Sequence, residues 1–264
     1  MPPERPRRIL AMGGGGFTME PENPALDHFL LTLTDVREPR VLFLPTASGD
    51  PKEQEQRFHM VYDGRPCATT VLSLFRLHEQ PVALRELILE QDLVYVGGGS
   101  MRNLLAIWRE HGLDRLLAEA WRRGTVLAGL SAGAMCWCAG GVTKSGGAAA
   151  PIDGLGLLPF SLSVHRDGDP DRLPAYRAAV RDGALPPGYA VDDYVGLLFE
   201  DDRLVRAVAS RPGHGAARVD ADGSEHELEV ELLTQADDQR LRPVPFDIAE
   251  YRALRRRTPR RSPG

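Results

Sequence analysis

Three short apolar runs in this chain each end in glycine: "RILAMGGGG" at 8–16, "DLVYVGGGS" at 92–100 and "TVLAGLSAG" at 125–133. The runs are apolar almost throughout rather than alternating, as strands buried on both faces must be. The stretches between them have helical spacing. "PALDHFLLTL" (24–33), "PVALRELILEQ" (81–91, starting at Pro81) and "MRNLLAIWREHGLDRLLAEAWRRG" (101–124) read as helices, the last with a break at Gly112 and a C-cap at Gly124. "RVLFLPTAS" (40–48) and "CATTVLSLF" (67–75) add two strand-like runs. This alternation predicts an α/β fold, a mostly parallel sheet with helices on both faces. Ligands in such sheets bind beyond the carboxyl ends of the strands, so the three glycine-bearing ends are expected to meet at a site.

The rest of the chain is less regular. Residues 139–160 are rich in Gly, Ala and Pro and read as a loop. "GYAVDDYVGLLFEDDRLVRAVAS" (188–210) reads as a β-hairpin turning at Asp201 and Asp202, and 217–233 as another turning at Asp222-Gly223. Together they predict a C-terminal antiparallel β addition. No internal repeat or linker is visible. A single α/β domain over 1–250 is expected, then a basic tail at 251–264 with Arg255–Arg257, Arg260 and Arg261 among Pro, Ser and Gly.

Composition narrows the function classes. With 42% hydrophobic and 26% charged residues, the 264-residue chain has the make-up of an ordinary globular protein. A net charge of −5 argues against nucleic acid as the partner. Three cysteines (Cys67, Cys136, Cys138) imply no disulfide framework, and the C-x-C pair lacks the neighbours of a zinc site. "MPPERPRRIL" has no apolar core of a signal peptide, and no run is long enough to span a membrane. A cytoplasmic protein is the expectation.

Gly129-Leu130-Ser131-Ala132-Gly133 fits G-x-S-x-G between a strand and a helix-compatible stretch. Small neighbours permit the tight turn that exposes a nucleophilic Ser131, and the N–H of Ala132 would then face an oxyanion. The simpler reading is a serine capping a helix; the apolar strand before it favours the nucleophile. Of the seven histidines, His28 and His111 lie on helical stretches, His226 on an alternating strand, and His59 and His78 in no telling context. His214, in the turn "RPGHGA", stays a candidate. His165 ends the apolar run "LLPFSLSVH" and is the preferred base, since chemistry recurs at strand ends. For the carboxylate behind it, Asp167, Asp169, Asp171, Asp192 and Asp193 are all open. A glycine of "VGGGS", Gly98 or Gly99, could complete the oxyanion hole. Neither glycine run spells a dinucleotide fingerprint, and there is no phosphate-binding P-loop.

"ILAMGGGGFTME", "RVLFLPTAS", "VYVGGGSMRNLLAIWREHGLD", "GTVLAGLSAGAMCW" and "GLGLLPFSLSVH" together resemble peptidase family S51, over roughly residues 8 to 215. That family includes the aspartyl dipeptidase peptidase E and, more distantly, cyanophycinase. The resemblance implies a class I glutamine amidotransferase-like (flavodoxin-like) fold with serine in place of cysteine at the elbow. It implies Ser131 as nucleophile and His165 as base. In cyanophycinase-like relatives an acid lies in a stretch resembling "YAVDDYVGLLF", which matches Asp193, with Asp192 beside it. In peptidase E the acid follows the elbow, where relatives show Thr-Asp-Ser; this chain reads Thr143-Lys144-Ser145, which turns the choice to Asp193. Ser100 stands where relatives usually carry Asn. The implied activity is that of a serine exopeptidase on dipeptides or short peptides, with N-terminal Asp as the candidate preference. A cyanophycinase-like or other amide hydrolase and a non-catalytic small-molecule-binding homologue are the alternatives. The expected partner is a short peptide substrate, with no metal, organic cofactor, nucleic acid or membrane, in a monomer or homodimer.

Overall fold

The computed structural model describes residues 6–79 and 81–233. Its first half runs β1 (Arg8–Met12), α1 (Gly16–Met19), α2 (Ala25–Thr32), β2 (Arg40–Leu44), α3 (Lys52–Tyr62), β3 (Ala68–Val71), α4 (Leu84–Leu89), β4 (Leu93–Val96), α5 (Met101–His111), α6 (Leu113–Arg122) and β5 (Val126–Leu130). The second half runs α7 (Ala132–Met135), β6 (Cys138–Thr143), β7 (Ala150–Asp153), β8 (Leu158–Ser163), α8 (Arg172–Arg181), β9 (Gly188–Val191), β10 (Val195–Glu200), β11 (Arg203–Ala209), β12 (Ala216–Val219), β13 (Glu225–Glu227) and β14 (Glu231–Leu232).

Two sheets form. The larger has the order β14-β11-β10-β1-β5-β4-β2-β3, and its β1, β5, β4, β2 and β3 are parallel. The apolar runs are buried on both sides, as their composition demands. Ile9, Ala11, Leu42 and Val94 face α4, α5, α6 and the second sheet, while Leu10, Phe43 and Tyr95 face α1, α2 and α3. Pairing aligns the carboxyl ends: Met12 lies opposite Leu130, and Val96 opposite both Gly129 and Leu44. The glycine-bearing ends therefore share one edge. Gly112, at φ 66°, ends α5 in the left-handed region and starts α6, as its position in the sequence suggests.

The smaller sheet has the order β13-β12-β9-β8-β6-β7. One side packs Leu162, Val191 and Ala216 into the core shared with β10 of the larger sheet. Tyr176 and Val180 of α8 cover the other side, over Val142, Ala190 and Val219. This sheet corrects the reading of 139–160 as a loop: the segment holds most of β6, all of β7 and the start of β8. Gly140 and Gly141 mark close packing, whereas Gly147, at φ 100° with open space around it, serves the turn between β6 and β7. A Cβ on Gly141 would lie 2.4 Å from the carbonyl of Leu162, and one on Gly140 2.8 Å from that of Ile152.

The C-terminal β addition is divided between the sheets. β10 and β11 pair as a hairpin and lie against β1, whereas β12 and β13 close the smaller sheet beside β9. Helix α4 starts at Leu84 rather than Pro81, with Ala83 still extended at ψ 92°. The expected tail at 251–264 lies outside the described residues. Among those described, no helix is long and apolar enough to cross a membrane.

Candidate active site

Ser131 joins β5 to α7 at φ 53°, ψ −116°. A non-glycine residue there is strained by roughly 1–3 kcal/mol and must be held by its surroundings. Its N–H donates to the carbonyl of Met12 (2.9 Å), and its own carbonyl accepts the N–H groups of Ala134 and Met135 (both 3.0 Å). The neighbouring glycines have no room for a side chain. A Cβ on Gly129 would lie 2.1 Å from the Gly133 carbonyl, and one on Gly133 2.3 Å from that of Val96. Trp137, wholly buried 5.7 Å from Trp108, anchors the segment beyond α7 in the core; truncating such an aromatic costs about 3–5 kcal/mol.

His165 follows the end of β8 and has φ 55°, which turns its ring toward β5. Its Nδ1 lies 2.6 Å from Oδ1 of Asp193 and its Nε2 2.8 Å from Oγ of Ser131. A carboxylate only accepts, so Nδ1 carries the hydrogen and donates to Asp193; Nε2 then accepts the Ser131 hydroxyl. The three groups come from different places: Ser131 from the larger sheet, His165 from the smaller, and Asp193 from the 192–194 crossing between β9 and β10.

Asp192 and Asp193 point to different partners. Asp192 is buried; its Oδ1 accepts from Nε of Arg166 (3.0 Å) and its Oδ2 from the N–H of Gly215 (2.7 Å). Gly13 and Gly14 make the crossing possible. A Cβ on Gly13 would lie 2.1 Å from the Asp192 carbonyl, and one on Gly14 2.1 Å from Oδ1 of Asp193. Asp167 meets His214 (2.9 Å) and accepts the N–H of Asp193 (3.0 Å). Burial works to raise its proton affinity, but those two hydrogen bonds outweigh it and hold the carboxyl below its ordinary value. Carboxylate oxygens of Asp167 and Asp192 and a nitrogen of His214 lie within 4.8 Å of one another. In this structure those oxygens are engaged by Arg166, Gly215, Asp193 and His214.

A cavity of about 300 Å³ opens at Ser131, lined by Gly99, Ser100, Met135, Thr143, Lys144, Ser145 and Arg172. Its charged lining residues are both cations. Asp169 and Asp171 stand behind them: Nζ of Lys144 is 3.1 Å from Asp169 and 3.7 Å from Asp171, and Arg172 is 3.4 Å from Asp169. Slight burial acts to raise the Asp169 carboxyl, but Lys144 and Arg172 prevail and lower it. Lys144 therefore borders the site. Ser100 caps α5 by accepting the N–H of Asn103 at 3.2 Å. A Cβ on Gly98 would lie 3.3 Å from that of Ser131, and the N–H groups of Gly98 and Ala132 have no hydrogen-bond partner among the described residues. Gly99 is at φ 140°, and a Cβ there would lie 2.2 Å from the Ala47 carbonyl. Cys136 and Cys138 are buried beneath; burial pushes the Cys138 thiol up to about 12.

Arg172, Met135 and the spacing role of Gly13 and Gly14 escape a sequence reading. The run of four glycines was the available signal for the last. A cation opening a helix after an acidic turn gave none for Arg172.

The sequence model of peptidase family S51 matches residues 9–207. An uncharacterized peptidase of Bacillus subtilis (strain 168), YgaJ, is 45% identical over 222 residues, covering 84% of this chain and 95% of that one. Among solved structures, a peptidase from an acI-B1 actinobacterium superposes with a TM-score of 0.68 at 20% identity, over 86% of this chain and 96% of its own. A putative peptidase E protein from Listeria monocytogenes EGD-e does so with a TM-score of 0.55 at 17% identity, over 76% and 97%. At these identities the two structures speak for the fold.

Proposed function

This chain belongs to peptidase family S51, and from that premise we propose that it is a serine exopeptidase hydrolysing dipeptides or short peptides, with a preference for an acidic N-terminal residue. The observation that carries the reading is the unbroken run from Oγ of Ser131 through His165 to Asp193. Oγ attacks the substrate carbonyl carbon while Nε2 of His165 takes its proton. Asp193 holds the imidazole in the required tautomer and stabilises the imidazolium. The unpartnered N–H groups of Ala132 and Gly98 are the proposed donors to the oxyanion. The tetrahedral intermediate collapses as His165 passes the proton to the departing amine, leaving an acyl-Ser131. Water then attacks, giving its proton to His165, and Ser131 is released protonated with the free acid.

Lys144 and Arg172 support the acidic preference, since they are the charged residues lining the cavity beside Ser131. A panel of N-terminally varied dipeptides, aminoacyl amides and β-Asp-Arg tests the substrate class. Asp-initiated dipeptides are expected to turn over fastest; faster cleavage of β-Asp-Arg favours a cyanophycinase-like hydrolase. Ser131→Ala should lose several orders of magnitude in kcat, and an active Ser131→Ala protein would discard the mechanism. Lys144→Met should raise KM for acidic dipeptides roughly tenfold, the loss of about 1.4 kcal/mol of charge pairing, and leave neutral ones unchanged.

A further inference from the structure

Asp167 and His214 meet beside Asp193, and neither side chain hydrogen-bonds Ser131 or the ring of His165. Asp167 sits two residues after His165, in a turn where the N–H groups of Gly168 and Asp169 donate to the His165 carbonyl (3.2 and 3.0 Å). Its Oδ1 accepts the backbone N–H of Asp193 at 3.0 Å, and its Oδ2 accepts from Nδ1 of His214 at 2.9 Å. The His214 ring stands edge-on to Tyr194, with centroids 4.9 Å apart. The same turn brings Gly168 against the other oxygen of Asp193: a Cβ there would lie 3.4 Å from Oδ2. Base and clamp thus belong to one stretch, 165–169.

Asp193 needs such a clamp. It lies in the crossing between the two sheets, where neither ladder takes its N–H. Tyr194 after it has φ 65°, a costly conformation for a bulky residue. If the peptide before Asp193 rotates, its carboxylate leaves Nδ1 of His165. We infer that Asp167, braced by His214, is a positioning residue that fixes the backbone of Asp193 and through it the aim of His165 at Ser131. This rests on the reading of Ser131, His165 and Asp193 as a working unit.

The rate at which a fluorophosphonate labels Ser131 tests it without knowledge of the substrate. Asp167→Ala should label on the order of tenfold more slowly, because small misplacements of reacting groups are costly. Asp167→Asn keeps an oxygen for the Asp193 N–H and should stay within about 1.5-fold of the parent. His214→Ala should slow labelling about threefold, and His214→Asn, whose amide replaces Nδ1–H, should restore it. A fold-maintenance role alone would not give this pattern of rescue in proteins with unchanged melting curves. Asp167→Ala labelling at the parent rate, or Asp167→Ala and Asp167→Asn equally slow, overturns the inference. If Asp167→Ala does not fold, the His214 pair decides, and parent-like labelling of His214→Ala overturns it. A parent protein that is itself unlabelled overturns both this inference and the serine mechanism, and is distinguished by that result.

Discussion

His165 with Asp193 and His214 with Asp167 are two imidazole–carboxylate pairs built alike, with Nδ1 to oxygen distances of 2.6 and 2.9 Å. Both histidines follow elements of the second half of the chain, and the two carboxylates are joined through the Asp193 N–H. They differ at the other end of the ring. Nε2 of His165 meets a hydroxyl held at a strained elbow over a cavity, whereas His214 packs its ring on Tyr194. Pair geometry is therefore a poor guide to chemistry on its own. What separates the pairs is the group presented to the second nitrogen, and the sheet edge that presents it.

The sharpest way to break this comparison is Asp193→Asn, which keeps the shape but lets His165 settle in the wrong tautomer. Turnover and Ser131 labelling should fall on the order of 10⁴-fold; a loss under tenfold would place the acid elsewhere. Gly14→Ala comes next. Its methyl would occupy the place of Oδ1 of Asp193, so a folded variant should label on the order of 10²-fold more slowly. Asp192→Asn should hardly change labelling. It sets an NH₂ group against Arg166 or the Gly215 N–H, at a cost of about 1–3 kcal/mol that denaturant unfolding would reveal.

A carboxylate on which burial outweighs the nearby cation, Arg65, marks the other limit. Asp27 is buried between α2 and α3, accepts the Tyr62 hydroxyl at 2.8 Å, and is pushed up to about 6 by burial. Since the folded state holds that proton more tightly than the unfolded chain, its contribution is full below pH about 3.8 and is lost as pH rises through about 6. Asp27→Asn should therefore stabilise the protein at pH 8, by at most roughly 3 kcal/mol, with the gain vanishing near pH 4. Melting curves across that range check it; a gain independent of pH would show that Asp27 does not titrate there.

The parallel strands were legible because each is a continuous apolar run closed by a breaker. Ser131 was legible for a related reason: the G-x-S-x-G pattern records local backbone sterics. His165 could be chosen because a strand end delivers it. The smaller sheet was hidden, since Gly140 and Gly141 look like loop residues until Leu162 and Ile152 come close enough to exclude a side chain. Lys144 and Arg172 carried no sign that they line one cavity, because side-chain direction around a turn is not written in spacing.

The sequence by itself determined that the glycine-bearing strand ends share one edge and that Ser131 stands in a tight turn between a strand and a helix. The first follows from the alternation of strands and helices, the second from sterics within a few residues. Local sterics left Asp192 and Asp193 open, and the tertiary structure sends them apart. Neighbouring residues in the crossing send their side chains to different partners, and the partners lie far away in the chain: Arg166 and Gly215 take Asp192, while His165 and the space left by Gly14 take Asp193. The resemblance to relatives had favoured Asp193. The physical reason it reaches His165 is a contact between β1, the turn after β8 and the turn before β10, which forms only when both sheets are packed.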